Sequence, residues 1–173
     1  LHRVILSEYR WLHRVILSEY RWLHRVILSE YRWLHRVILS EYFGESVNLF
    51  SFLAAWDDGI IRVFGFNGKA NNDIVLKKAI SAAHNKGVTA LACTQNGPYV
   101  SPGQWEFNIV SGGGEGQVRI WSFRYDGRSE ATYQLLDTLK EHKGSVSDIK
   151  IRKDDRECVS ASTDGTCIIW NLE

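Results

Sequence analysis

Two stretches of this chain bring a hydroxyl, an imidazole and a carboxylate together: His142, Ser160 and Asp164 in one, His84, Ser111 and Glu115 in the other. Aligned in space, such groups are a nucleophile, a base and an orienting acid, the set used in acyl transfer. That chemistry also needs an accessible nucleophile and an oxyanion site, so the residue types alone do not make an active centre. No catalytic residue is assigned. The glycines of SGGGEGQ, 111–117, suggest a phosphate cradle. No Lys-Ser or Lys-Thr follows them, however, and they lie between two strand-like runs instead of opening a helix. They read as a hairpin turn, and no cofactor is expected. Histidines at 2, 13, 24 and 35 form a ladder, yet each lacks a second ligand at metal-site spacing and exists because one unit is copied. No metal site is expected.

The elements that would position these groups are short strands. NLFSFLAAW, then Asp57-Asp58-Gly59, then IIRVFGF is two apolar runs joined by a tight turn, with Asp-Gly supplying the positive φ that a hairpin demands. The phrase returns as NIVSGGGEGQVRIWSF (108–123) and as CVSASTDGTCIIWNL (158–172), so that the turn glycines are Gly59, Gly116 and Gly165. Matching strands, GVTALACT and GSVSDIKI, follow His84 and His142 and precede the second and third hairpins. Four strands per unit with a Trp closing the third is the sequence pattern of a propeller blade. The fold class expected is all-β.

At these residues the chain resembles the WD40 repeats. The segment from Glu141 to Trp170, EHKGSVSDIKIRKDDRECVSASTDGTCIIW, is the fullest copy. The resemblance implies an internal hydrogen-bond network of His142, Ser160, Asp164 and Trp170. The residue types suit it: an indole N–H must find an acceptor, a hydroxyl accepts and passes the donation on, and an imidazole links hydroxyl to carboxylate. In the preceding blade His84, Ser111 and Trp121 match, while Glu115 stands where Asp is expected and has a longer arm. In the first blade Ala54 and Phe64 occupy the Ser and Trp positions, and only Asp58 remains. The usual Gly-His pair is replaced by Ala83-His84 and Glu141-His142, and the closing Trp-Asp by Trp121-Ser122 and Trp170-Asn171.

AWDDGIIRVF, AHNKGVTALA, IVSGGGEGQVRIW and ECVSASTDGTCIIW are similar to consecutive blades of a cilia- and flagella-associated WD-repeat family, from about Phe50 to Glu173. That resemblance implies a non-catalytic structural protein of the axoneme. It would be a microtubule inner protein of the doublet near the inner junction, in the cytoskeleton of the cilium or flagellum, binding tubulin and neighbouring axonemal proteins. The reading from a different class is a soluble WD adaptor in a signalling or ubiquitin-transfer complex. About two and a half to three blades are expected where a closed ring needs at least four, so the partial propeller is expected to be a piece of a longer product or stabilised within an assembly.

Ahead of the blades, residues 1–42 read LHRVILSEYRW three times without variation, with a fourth copy from Leu34 to Tyr42. Eleven residues make three helical turns, so each copy would present the same face. The apolar residues nevertheless cover more than half the circumference, and amphipathicity is poor. As strands, an odd period flips the inward face with each copy, and nothing punctuates the units with turns. Helix is the better expectation for the first three copies. In the last copy, Val37–Phe43 followed by Gly44 reads as a strand and turn leading into a propeller segment at 43–173.

Composition bounds the remaining choices. At 173 residues with 45% hydrophobic content the chain can bury a core. The net charge is +1, and the positive excess lies in the repeat tract, so no basic face of the size nucleic acid requires is visible. No apolar run reaches the ~20 residues that span a bilayer, and no secretory signal is visible. Cys93, Cys158 and Cys167 are too few and scattered for a disulfide framework and suit a reducing compartment; Cys158 and Cys167 read as small core residues on adjacent strands. Binding would reside in loops. The candidates are Gln95–Phe107, with Tyr99, Gln104 and Trp105, and the charged connection Arg124–Glu130, with Arg124 and Arg128.

Overall fold

The computed structural model describes residues 36–40, 51–55, 57–66, 74–94, 105–126 and 130–173. The chain divides into two compact units, Leu1–Leu34 and His35–Glu173, and every described residue belongs to the second. The helix expected over the first three repeat copies therefore lies outside the described residues, as do the histidines at 2, 13, 24 and 35.

Among the described residues eleven strands follow one another: β1 (Arg36–Ser40), β2 (Ser51–Ala55), β3 (Ile61–Phe66), β4 (Ile74–Ile80), β5 (Val88–Cys93), β6 (Trp105–Gly113), β7 (Val118–Tyr125), β8 (Thr132–Leu139), β9 (Val146–Ile151), β10 (Glu157–Ser162) and β11 (Cys167–Asn171). They form three antiparallel meanders, β1-β2-β3-β4, β5-β6-β7-β8 and β9-β10-β11. The all-β class expected from the hairpin phrases is what the described residues adopt. β1 comes from the fourth repeat copy and pairs with β2, Ile38 opposite Leu53.

The hairpin turns form for the reason their sequences suggest. Gly59, Gly116 and Gly165 have φ of +72°, +85° and +83°, a region that a Cβ disfavours. Two of them also touch the next sheet's entry. A Cβ on Gly59 would lie 2.0 Å from the carbonyl oxygen of His84, and one on Gly116 would lie 2.7 Å from that of His142, whereas Gly165 has nothing within 4 Å. Each of the first two turns thus seats the histidine-bearing segment of the following sheet. The seat is hydrogen-bonded at Gly59, whose carbonyl accepts the amides of Ala83 (2.8 Å) and His84 (3.3 Å).

The two complete sheets share an irregularity. Pairing between third and fourth strands shifts at Val63/Phe64 in one and at Ile120/Trp121 in the other, so a bulge falls at the same point of the repeat.

Two apolar clusters hold the sheets together. One joins Leu53, Ile61, Val63 and Ile80 of the first sheet to Leu91, Ile109 and Phe123 of the second; the other joins Val110 and Val118 of the second to Val146, Ile149 and Cys158 of the third. Each fully buried aliphatic contributes about 1.5–3 kcal/mol relative to exposure. This term outweighs any surface ion pair here, since exposed pairs are worth about 0–1 kcal/mol. The Thr89 hydroxyl adds a polar tie across the second seam by donating to the carbonyl of Val146 at 2.5 Å. The third sheet repeats the pattern without cover. Leu53, Ile61 and Val63, and then Val110, Val118 and Ile120, are buried, while their equivalents Val159, Cys167 and Ile169 are exposed, Ile169 by 71%.

Candidate functional site

The chemistry-bearing groups converge on the interior of the second and third sheets. In the second sheet the Trp121 indole on β7 donates to the Ser111 hydroxyl on β6 at 2.9 Å. The same oxygen lies 2.9 Å from His84 Nε2, and His84 Nδ1 lies 2.6 Å from a Glu115 carboxylate oxygen. Glu115 also accepts the Lys86 amide at 3.2 Å. Donor and acceptor roles follow from the types. A carboxylate only accepts, so Nδ1 carries the proton; in the neutral ring Nε2 must then accept from the Ser111 hydroxyl. Burial pushes the His84 pKa below its ordinary value, against the pull of Glu115. Burial is the largest single influence on Glu115 and raises its pKa, but the hydrogen bonds it accepts, that from His84 foremost and that from the Lys86 amide, together outweigh it and hold the carboxyl below the usual range. The longer arm of Glu115 reaches the imidazole directly.

The third sheet solves the same problem with one more residue. Trp170 on β11 donates to Ser160 on β10 at 2.7 Å, and Ser160 lies 2.7 Å from His142 Nε2. Beyond the ring, His142 Nδ1 lies 3.0 Å from the Thr166 hydroxyl, which donates to Asp164 at 2.6 Å. The other Asp164 oxygen is 3.4 Å from Nδ1 and accepts the Lys143 amide at 2.7 Å. The shorter Asp therefore acts chiefly through Thr166, whose hydrogen bond is the leading cause of the Asp164 pKa falling well below the carboxylate range. Thr166 was not among the residues expected here. Its only sequence signal is a hydroxyl two residues after the turn Asp, where the second sheet has Gln117 and the first Ile60.

In the first sheet Asp58 faces a different partner. Its carboxylate takes the Ile60 amide at 3.0 Å and the Arg62 guanidinium at 2.6 Å. Ala54 is buried where the serine stands in the other sheets, and Phe64 replaces the indole. No donor is left there that needs a hydroxyl.

A second feature that sequence reasoning did not find lies beside His84. Arg119 on β7 donates to the carbonyls of Ala83 (2.7 Å) and Ala82 (3.3 Å) and to the Gln117 side chain (3.0 Å). Ala82 has φ of +53°, so the guanidinium clamps a turn held in a left-handed conformation one residue before Ala83 and two before His84.

These arrangements leave no room for reaction. Ser111 and Ser160 have no exposed surface, so neither hydroxyl can meet a substrate. Among the described residues no group of three His, Cys, Asp or Glu side chains is placed to hold a metal ion. What the geometry does is satisfy buried polar groups and fix how strands, turns and indoles pack.

Of the expected binding loops, Tyr99, Gln104 and Arg128 lie outside the described residues. Two boundaries differ from expectation. β6 begins at Trp105, so 105–107 belong to the sheet, with Phe107 packed on Phe123 at 5.0 Å. β7 runs to Tyr125, which places Arg124 in the strand opposite Glu106, bound to it at 2.7 Å. The hairpin is longer than the apolar pattern alone suggests because this charged pair and the Phe107–Phe123 contact extend the ladder. Cys167 also differs: the cysteine expected in the core is exposed, whereas Cys158 is buried opposite Trp170.

The family profile described as WD domain, G-beta repeat matches residues 77–122 and 133–171. The chain is 46% identical over 122 residues to cilia- and flagella-associated protein 52 of Sus scrofa, covering 70% of this chain and 17% of that protein. It is 40% identical over 122 residues to the protein of the same name from Chlamydomonas reinhardtii, again covering 70% and 17%. The chain thus spans about one sixth of the length of these curated relatives. Among solved structures, a chain of the Chaetomium thermophilum polycomb repressive complex 2 superposes with a TM-score of 0.60 at 19% identity, over 82% of this chain and 28% of that one. That likeness concerns the fold alone.

Proposed function

This chain is a WD40-repeat protein, and on that premise we propose that it is a non-catalytic structural module of the cilium or flagellum. In this reading it is a microtubule inner protein of the doublet, near the inner junction, and it binds tubulin and neighbouring axonemal proteins. The observation that carries the reading is the likeness to cilia- and flagella-associated protein 52 over 122 residues of this chain, in relatives as distant as a mammal and an alga. The buried networks support it in a second way. They spend the reactive side chains on holding sheets rigid, which suits a part that presents surfaces instead of processing substrates.

Stepwise extraction of isolated cilia is the test. A protein built into the doublet stays with the microtubules through detergent and salt washes and is released only when the doublets are dissolved. Recovery in the detergent-soluble fraction, with none left on doublets, overturns the reading and favours the soluble adaptor.

A further inference from the structure

The fourth strands of the two complete sheets lie at equivalent edges and carry different chemistry there. β4 pairs with β3 and β8 with β7, and among the described residues neither has a strand on its other side. Each pairing shifts at the same point of the repeat. In β4 the residue left without an opposite is Lys77, between Leu76 opposite Phe64 and Lys78 opposite Val63. In β8 it is Leu136, between Leu135 opposite Trp121 and Asp137 opposite Ile120. Lysine on an edge strand is a device against pairing with another chain. The first sheet has it twice, with Lys77 over the Tyr125 ring at 5.2 Å and Lys78 bound to Glu130. The second sheet has neither lysine. Residues 132–137 are six exposed residues in succession, with Tyr133 37%, Leu135 42% and Leu136 50% exposed and a single charge, Asp137, at the end of the run.

We propose that the outer edge of β8 is a docking surface for a second copy of this chain, the two β8 strands running antiparallel about a two-fold axis at Gln134. The occupant follows from what the strand offers itself. About that axis Tyr133 stands opposite Leu135 of the second copy and Thr132 opposite Leu136, and symmetry makes each contact twice. Aromatic and aliphatic side chains directly opposite stabilise an antiparallel pair, whereas like charges there destabilise it. Gln134 meets its own copy, amide against amide, each able to donate and to accept. Asp137 lies three residues from the axis, which keeps the two carboxylates about 20 Å apart, beyond the Debye length. The first sheet lacks such an edge, because the position of Leu136 is taken by Lys77 with its ammonium held over Tyr125. Five residues a side bury less than the ~1,200 Å² of a standard interface, so the dimer is reversible and depends on concentration.

Sedimentation equilibrium of the purified whole chain over a wide concentration range tests this. The parent is expected to pass from monomer to dimer. Leu136→Lys, which gives the second sheet the residue of the first, is expected to weaken the dimer about tenfold by withdrawing two leucines from the contact. Gln134→Lys and Gln134→Glu each set like charges against one another on the axis and weaken it separately, while an equimolar mixture of the two restores a mixed dimer. Recovery in the mixture also shows that both variants are folded. The proposal is overturned if the parent stays monomeric, which leaves this edge to a different protein, if its association is unchanged in Leu136→Lys, or if the mixture associates no better than the separate variants.

Discussion

Replacing Ser160 by Ala removes one atom that two buried partners depend on. The Trp170 indole N–H loses its acceptor at 2.7 Å, and His142 Nε2 loses its donor at 2.7 Å. An orphaned buried polar group costs about 1–3 kcal/mol. The Trp170 bond is only partly buried and belongs near the lower end, so the expected loss is about 2–4 kcal/mol, a large part of the 5–15 kcal/mol that typical domains possess. The first sheet shows the compensated solution, Ala54 with Phe64, in which no indole is left to satisfy. Trp170→Phe added to Ser160→Ala imitates it, and the double variant should be less destabilised than the sum of the singles by about 1–2 kcal/mol. Urea unfolding followed by far-UV circular dichroism measures all four corners of this cycle without relying on the tryptophan being changed. A Ser160→Ala variant within about 0.5 kcal/mol of the parent, or a strictly additive cycle, would refute the claim that this hydroxyl bridges two buried groups.

Further expectations follow from the turns, the thiols and the second network. Gly165→Ala should cost about 1–2 kcal/mol from its positive φ alone, while Gly116→Ala should cost at least about 1 kcal/mol more because its Cβ meets the carbonyls of His142 and Gly144; urea midpoints compare them. Alkylation at pH 8 should modify Cys167 first and Cys158 last, since burial pushes the Cys158 pKa up to about 11 and leaves roughly one thiolate in a thousand; timed peptide mapping reads the order. Acidification should destabilise the second sheet. The folded-state pKa of His84 lies below its ordinary 6.5, so the unfolded chain takes up that proton first and stability is lost as pH falls below about 6.5. The lowered pKa of Glu115 has the same sign and acts below its ordinary 4.5. A His84→Gln variant, weaker at neutral pH, should lack the first of these two phases in a pH series of urea midpoints.

Much of the architecture was legible in the letters because turn chemistry and strand alternation are local. Asp-Gly and Glu-Gly at 58–59, 115–116 and 164–165 mark hairpins without reference to the rest of the chain, and the closing indoles mark third strands. The networks were legible as residue types but not as connections. Whether a carboxylate reaches an imidazole depends on side-chain length and turn geometry together. Glu115 consequently binds His84 directly, while Asp164 works chiefly through Thr166, and Asp58 turns to Arg62. Arg119 escaped notice because its partners are backbone carbonyls, which any sequence supplies. The exposure of Cys167 was hidden for the opposite reason: the strand pattern assigns it an inward position, and only the spatial arrangement shows that no sheet among the described residues covers it.

Cross-linking mass spectrometry on intact doublets, isolated from ciliated cells that express the protein, tests the structural role most directly. Lys140, Lys143, Lys150 and Lys153 flank or lie on β9 and supply reactive amines on the third sheet. Reproducible links from these lysines to tubulin or to other proteins of the doublet, retained after salt washing, are the predicted result. Absence of the protein from washed doublets, with links only to soluble signalling or ubiquitin-transfer components, would contradict it.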